Sequence, residues 1–331
     1  MVFKLFMESK YKKRKNKDID MKKIFVGPKE KNIANTDFFD GSITLFGSNR
    51  NGNHSYSRDI SFAYWDPDNN KKEIDIYNQE FAKIKEEIMV MAHNPHLVSK
   101  CFLPSNVHLI CKNSDKVLDI LDNKFKTREL LCNIVPILDY EIYKGSNINY
   151  EKLSKKTTEF VIQLPIGSGG AKTYLYNTDT YEQIDQLIED DKYYSVSAYI
   201  RDNIPYNIHC VVFKNKIEVM MPSKQLIEVS NILEYIGSDY SADIDINVAR
   251  KICEYSIKIC KKLQEIDYLG VVGIDYISTK EEIYFIEINP RFQGSTAYLD
   301  SILKKKGLPS LFEYNYAAFI DKEMPSVKFI K

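Results

Sequence analysis

Residues 270–296 read Gly-Val-Val-Gly-Ile-Asp-Tyr-Ile-Ser-Thr-Lys-Glu-Glu-Ile-Tyr-Phe-Ile-Glu-Ile-Asn-Pro-Arg-Phe-Gln-Gly-Ser-Thr. Val271 to Ile277 is β-branched and aromatic, Ser278 to Glu282 is turn-like, and Ile283 to Ile288 is again apolar, so the pattern predicts a β-hairpin. Pro290 ends the second strand, because proline donates no hydrogen bond to a ladder. Alternation puts Glu287 and Asn289 on one face of that strand and Tyr284, Ile286 and Ile288 on the other. With the turn near Lys280–Glu281, Asp275 falls opposite Glu287. Like charges opposed on a sheet repel unless something positive lies between them. Oxygen ligands from Asp275, Glu287 and Asn289, completed by phosphate and water, suit Mg²⁺. Arg291 sits just beyond. An acidic residue in a strand is more often a solvated one, so Asp275 alone carries no argument; the constellation carries it.

The whole chain sets the limits. Its 331 residues are enough for two or three lobes with a sizeable core. With 44% hydrophobic and 28% charged residues it has an ordinary globular composition. A net charge of zero gives no global signature of nucleic-acid binding. The cysteines, at 101, 111, 132, 210, 253 and 260, form no CxxC and no zinc spacing. They read as reduced thiols of a cytoplasmic protein. No apolar run approaches ~18 residues, so no membrane span is expected. Met1 to Met7 is too short for a signal-peptide core.

Taken in order, Lys10 to Lys23 is dense in Lys and Arg, and residues 1–23 read as a basic, disordered tail, with a basic docking arm as the alternative. Residues 24–115 read as a small α/β domain. Its expected strands are Ile24–Val26, Ser42–Phe46, Ser61–Tyr64 and His108–Ile110. Its expected helix runs near Gln79 to Met91, with Phe81, Ile84, Ile88 and Met91 on one face. Gly47–Asn53 lacks a dinucleotide fingerprint, and His93 and His96 flank a proline, which points to a loop or helix end rather than to metal. Lys116 to Cys132 reads as helical, followed by a β-like Ile134–Leu138. Thr158–Leu164 and Tyr174–Tyr176 read as strands joined by Pro165–Thr173. The clustered glycines of that loop let the backbone turn N–H groups toward a phosphate, although the spacing excludes a P-loop. Thr180 and Gln183 have capping-box spacing. Tyr194–Ile200 and Tyr206–Phe213 read as strands, and Lys216–Met221 as the return of a hairpin. Asn207 and His209 share a face, and His209 reads as a packed sheet histidine. Val248–Ile266 is an amphipathic helix with Ile252, Tyr255, Ile259 and Leu263 in register. Two closing helices follow, Ala297–Lys306 and Pro309–Ile320.

An acidic residue, a loop and then Glu-x-Asn-x-Arg resembles the metal-binding end of the ATP-grasp ligases. The resemblance covers about Lys116 to Ile320. It implies an α/β and α+β architecture in which two α+β lobes clamp ATP, residues 116–331, with a lid lobe at about 159–200. Residues 24–115 would be the pre-ATP-grasp domain. Asp122–Thr127 resembles the family's Asp/Asn-Lys helix, which makes Lys124 the matched phosphate-binding lysine. Gly167, Ser168, Gly169, Gly170 and Lys172 resemble the mobile lid hairpin. Gln163 is a departure, since many members carry Lys there; Lys172 is a candidate for supplying the missing charge. Ser197, Ala198, Tyr199 and Ile200 match the hinge whose backbone reads adenine, and Asn207 joins this nucleotide set. Asp275, Glu287 and Asn289 match the ligands of two Mg²⁺ ions, with Mn²⁺ as the alternative metal.

The resemblance further implies an ATP-dependent carboxylate–amine ligase. A substrate carboxylate would take the γ-phosphoryl group, Arg291 would hold the carboxylate and the later oxyanion, and an amine would displace phosphate. The expected partners are small-molecule carboxylate and amine substrates, an amino acid or short peptide first among them. Loading of a carrier protein, a non-catalytic ATP-binding module and a homodimer stay open. No nucleic acid or membrane partner is expected.

Overall fold

The computed structural model describes residues 21–49, 52–55, 70–155, 157–167, 169–170 and 172–328. The expected strand Ser61–Tyr64, Ser168 of the expected lid and nearly all of the expected basic tail lie outside them. The described residues divide into two compact units between Lys112 and Asn113.

The first unit is a five-stranded sheet built from β1 (Lys22–Lys29), β2 (Gly41–Asn49), β3 (Gly52–Ser55), β4 (Ile88–Ala92) and β5 (Val107–Ile110). The order is β3-β2-β1-β4-β5. The pairs β1·β2, β1·β4 and β4·β5 are parallel, and β3 is antiparallel to β2. Helix α1 spans Lys71–Lys83 and buries Tyr77 and Phe81. The expected helix over 79–91 is therefore corrected, because its second half is β4. Ile84, Ile88 and Met91 have helical spacing, but Ile88–Ala92 is one unbroken apolar run, buried at every position. Parallel sheets covered on both faces produce such runs, and periodicity cannot tell them from buried helix. The one-turn α2 (Pro95–Val98) is capped by Asn94, whose Oδ1 accepts from Leu97 N at 3.2 Å; His96 is buried in it.

The second unit opens with α3 (Asp115–Leu121) and α4 (Lys124–Leu131) rather than one continuous helix. Asn123 breaks the run. Its backbone is extended, and Oδ1 accepts from Phe125 N at 3.0 Å and Lys126 N at 3.1 Å, restarting the helix as an N-cap. The expected strand at 134–138 reduces to a single bridge between Ile137 and Phe285.

A four-stranded antiparallel sheet follows: β6 (Tyr140–Lys144), β7 (Phe160–Gln163), β8 (Thr173–Tyr176) and β9 (Tyr193–Ala198), in the order β6-β9-β7-β8. Phe160, Ile162, Tyr174, Tyr176, Tyr194 and Val196 form its core with Leu153 of α5 (Tyr150–Leu153) and Ile184 of α6 (Tyr181–Asp185). The capping box at Thr180 does not form. Its hydroxyl donates to Leu175 O at 2.5 Å, which ties α6 to β8 instead.

The larger sheet contains β10 (Ile204–Val212), β11 (Ile217–Val219), β12 (Ser223–Val229), β13 (Leu233–Asp239), β14 (Gly270–Ser278) and β15 (Ile283–Asn289). Its order is β13-β12-β10-β14-β15, with β11 also on β10. Helix α7 (Ile246–Glu265) covers one face. Asp245 caps it by accepting from Asn247 N at 2.8 Å and Val248 N at 3.2 Å. Ile252, Tyr255, Ile259 and Leu263 pack on Ile208, Cys210, Val272, Ile274 and Tyr276. Truncating one of these aliphatic side chains to alanine costs about 2–5 kcal/mol. Helices α8 (Thr296–Lys305) and α9 (Leu311–Phe319) follow, the latter opened by a complete Ser310–Glu313 capping box. Among the described residues, no helix is long and apolar enough to cross a membrane.

The β14–β15 hairpin is the expected one, with a difference. Asp275 pairs with Glu287, but Tyr276 pairs with Phe285, so Ile286 is an extra residue at a β-bulge. The bulge shifts alternation by one position. Ile283 and Phe285 share the buried core with Ile288, whereas simple alternation placed Ile288 with Tyr284 and Ile286.

Candidate active site

The four-stranded sheet and the larger sheet enclose a cavity of about 670 Å³. Lys124, Gln163, Gly169, Gly170, Ser197, Ala198, Tyr199, Ile200, Asn207, Asp275, Glu287, Asn289 and Arg291 all line it. Gly167 and Lys172 do not, although Gly167 reaches the site through its carbonyl.

At the floor, the pairing of β14 with β15 sets Asp275 against Glu287. Asn289 Nδ2 donates to Asp275 Oδ2 at 3.1 Å, and Glu287 Oε2 lies 2.9 Å from Lys124 Nζ. Lys124 is buried at the start of α4 and also donates to Gly167 O at 3.0 Å, linking the glycine loop to the hairpin. Burial, then the neighbouring Glu287 charge, pushes the Asp275 carboxyl up to about 7. Burial alone would raise Glu287 as well, but the Lys124 charge and hydrogen bond, helped by Arg291, bring it below the usual carboxylate range. Arg291 Nη2 donates to Asn289 Oδ1 at 3.2 Å, and Nη1 donates to Phe292 O at 3.0 Å.

Behind the carboxylates stands Asn207 on β10, buried and in register with Asp275. Its Nδ2 donates to Asp275 Oδ1 and to Gln293 Oε1, at 2.5 and 3.0 Å. Two acceptors around Nδ2 fix the amide orientation, and that leaves Oδ1 buried without a partner. Gly273 makes this packing possible, because a Cβ there would come within 2.2 Å of the Gln293 side chain. Two opposed carboxylates, one of them pushed toward protonation, are a site that a hard cation would relieve. The set is carboxylate and amide oxygen only; among the described residues no group of three or more His, Cys, Asp or Glu could hold a metal. His209 lies one turn of alternation away but is fully buried, with Nε2 3.3 Å from Thr296 Oγ1 and Nδ1 3.5 Å from Tyr240 Oη. Burial lowers its pKa to about 3, so it is a neutral packing group.

The glycine loop forms the roof. Gly169 and Gly170 adopt φ of +63° and +85°. A Cβ on Gly170 would lie 1.9 Å from Leu233 O, so only glycine lets the loop seat on β13. Tyr235 N donates to Gly169 O at 3.3 Å, and Leu175 N to Asn231 O at 3.0 Å. Lys172 turns outward and pairs with Glu189 at 3.4 Å, both partly exposed. Gln163 faces inward with both ends of its amide engaged. Nε2 donates to Thr173 Oγ1 at 3.2 Å, and Oε1 accepts from Arg128 Nη2 at 3.0 Å.

Arg128 is the main residue the sequence reading missed, together with Ser195, Tyr140, Lys224, Gln225, Tyr235, Gln293 and Ser295 of the same cavity. A signal existed for Arg128: it lies four residues after Lys124, hence on the same helix face. The residues on β12 and β13 had none, because those strands were not anticipated.

At the expected hinge, Ser197 is held between Tyr140 and Val161, and Ala198 pairs with Phe160. Ile200 follows the strand end and lines the cavity.

No curated protein matches the chain. Among solved structures, an ADP complex of N5-carboxyaminoimidazole ribonucleotide synthetase aligns with a TM-score of 0.63 at 15% identity, over 94% of this chain and 80% of that one. D-alanyl-alanine synthetase A from Vibrio cholerae aligns with a TM-score of 0.58 at 14% identity, over 91% and 98%. L-amino acid ligase from Bacillus licheniformis aligns with a TM-score of 0.56 at 13% identity, over 90% and 74%. At these identities the likeness is one of fold. The family model of the ATP-grasp domain matches residues 121–295, from the end of α3 through both lobes to the loop after Arg291. The chain belongs to the ATP-grasp family.

Proposed function

We propose that this protein is an ATP-dependent carboxylate–amine ligase that forms an acyl phosphate and releases ADP and phosphate. The observation that carries the reading is the juxtaposition of Asp275, Glu287 and Asn289 with Lys124 and Arg291 around one cavity. In this reading residues 24–115 are the pre-ATP-grasp domain and 116–331 the ATP-grasp domain.

ATP enters between the sheets, with adenine at the backbone of Ser197–Ile200 and phosphates under Gly167–Lys172. Asp275, Glu287 and Asn289 would hold Mg²⁺, which when bound neutralises the β- and γ-phosphates during transfer. Lys124 already neutralises Glu287 and is placed to follow the phosphates. The glycine loop, seated on β13, excludes water from the transfer. Arg291 presents a planar fork for the attacking carboxylate and for the oxyanion that forms when the amine adds. The described residues that line the cavity include no serine–histidine or cysteine–histidine pair that would form a covalent enzyme intermediate.

The substrate we favour is an amino acid or short peptide. The cavity lining includes Lys224, Gln225, Tyr235, Gln293 and Ser295, polar groups suited to a zwitterion. Phosphate release measured over a panel of amino-acid pairs tests this. Release that needs both a carboxylate and an amine supports the ligase; nucleotide binding without turnover for any pair favours a binding module.

A further inference from the structure

Among the described residues, Arg128 is a buried cation without a counter-charge. It lies on α4 one turn after Lys124 and lines the cavity. Nη2 donates to Gln163 Oε1 at 3.0 Å, Nη1 donates to Ser195 Oγ at 3.1 Å, and the guanidinium lies 5.0 Å from the centre of the Tyr140 ring. All three neighbours are neutral. Among the described residues it makes no ion pair, and Glu287, the carboxylate whose charge it feels, is already 2.9 Å from Lys124. Holding a charged group out of water is costly unless it is paired. Gln163 and Ser195 orient the guanidinium without neutralising it, and two bonds leave three of its five N–H groups unspent. A fixed, unneutralised fork on a cavity wall is built for an anion.

We propose that Arg128 binds the nucleotide's α- and β-phosphates, with Gln163, Ser195 and Tyr140 as its positioning residues. This rests on the reading of the cavity as an ATP site. Two features favour phosphate over the substrate carboxylate. Arg128 lies one turn after Lys124, which donates to Gly167 O of the glycine loop, and it bonds Gln163, the last residue of β7 before that loop, whereas Arg291 follows β15 and bonds Asn289. The positive-φ glycines of the roof are the backbone form that approaches phosphate oxygens. Gln163 then stands where a cation would be expected because the cation reaches the same place from the helix opposite.

The test is calorimetric binding of adenosine, ADP and a non-hydrolysable ATP analogue with Mg²⁺ to the full chain. Arg128→Gln is expected to weaken ADP and the analogue roughly 10–100-fold, the range of a charge-assisted contact, with adenosine unchanged. Arg128→Gln/Gln163→Lys, which moves the positive charge to the facing strand, is expected to regain most of that loss. If Arg128→Gln does not fold, Arg128→Lys is read on the same scale. It keeps the charge and loses the fork, so a drop of roughly tenfold confined to phosphate-bearing ligands is expected. Wild-type affinity in either single variant, or an equal loss for adenosine, would overturn the assignment. Wild-type protein that binds none of the three ligands would overturn the ATP-site reading and this proposal together.

Discussion

Lys124 and Glu287 join the helix and the hairpin of the candidate site, with Nζ 2.9 Å from Oε2 and both side chains largely out of solvent. The ammonium pairs with Glu287, while Asn289 Nδ2 donates to both opposed carboxylates, to Asp275 Oδ2 at 3.1 Å and to Glu287 Oε1 at 3.5 Å. Lys124 holds Glu287 ionised while Asp275, next to it, is driven up to about 7. The pair therefore offers one firm carboxylate and one that a cation would recruit.

Glu287→Gln removes that ligand charge with almost no change in volume. Turnover should fall by at least roughly 10²–10³, the scale of one oriented electrostatic contact, while the fold persists. ADP formation and a thermal melt check it together. Wild-type turnover would remove Glu287 from the site.

The two loop glycines should differ. Gly170→Ala places a Cβ 1.9 Å from Leu233 O, whereas a Cβ on Gly169 meets nothing within 4 Å. Gly169→Ala should cost only the positive-φ strain, about 1–2 kcal/mol. Gly170→Ala should in addition unseat the loop from β13. The KM for ATP should therefore rise far more in the second variant, and ATP analogue with Mg²⁺ should no longer protect residues 167–173 from protease. Equal behaviour of the two variants would count against loop seating on β13.

Gln163→Lys alone should lose activity. The new ammonium would face the Arg128 guanidinium and forfeit the bond to Gln163 Oε1, and like charges in a buried site repel. Tighter ATP binding with unchanged turnover would contradict this.

His209 sets part of the acid stability. Its folded pKa is depressed to about 3 from 6.5. Between those values the unfolded chain binds one more proton than the folded one, so stability is full above pH 6.5 and falls as pH drops through the window. The slope for one proton is about 1.4 kcal/mol per pH unit. His209→Gln should flatten this limb in urea melts taken from pH 7 to pH 4. An unchanged slope would show that other groups dominate it.

Much of the site was legible because a hairpin converts sequence spacing directly into register. Asp275 opposite Glu287 needed only the turn position, and α7 needed only its apolar stripe. The bulge at Ile286 was not legible, since an extra residue leaves no trace in composition. The buried strand Ile88–Ala92 imitated helix because both its faces are covered. Asn123 was a visible N-cap inside a helical run, and reading it would have split α3 from α4. Lys172 was a reasonable donor for the charge absent at Gln163, yet backbone geometry turns it to Glu189. Arg128 supplies a buried cation there instead, through a contact between residues 35 apart in sequence that no local pattern encodes.

The central claim is the reaction, and the nucleotide product tests it most directly. With the correct carboxylate labelled with oxygen-18, the account predicts ADP and labelled phosphate. Hydroxylamine in place of the amine should trap a hydroxamate from the acyl phosphate. Arg291→Lys should suppress the hydroxamate more than it weakens ATP binding, because a point charge cannot replace a planar fork on a carboxylate. Release of AMP and pyrophosphate, with the label in AMP, would contradict the account and make the protein an adenylating enzyme.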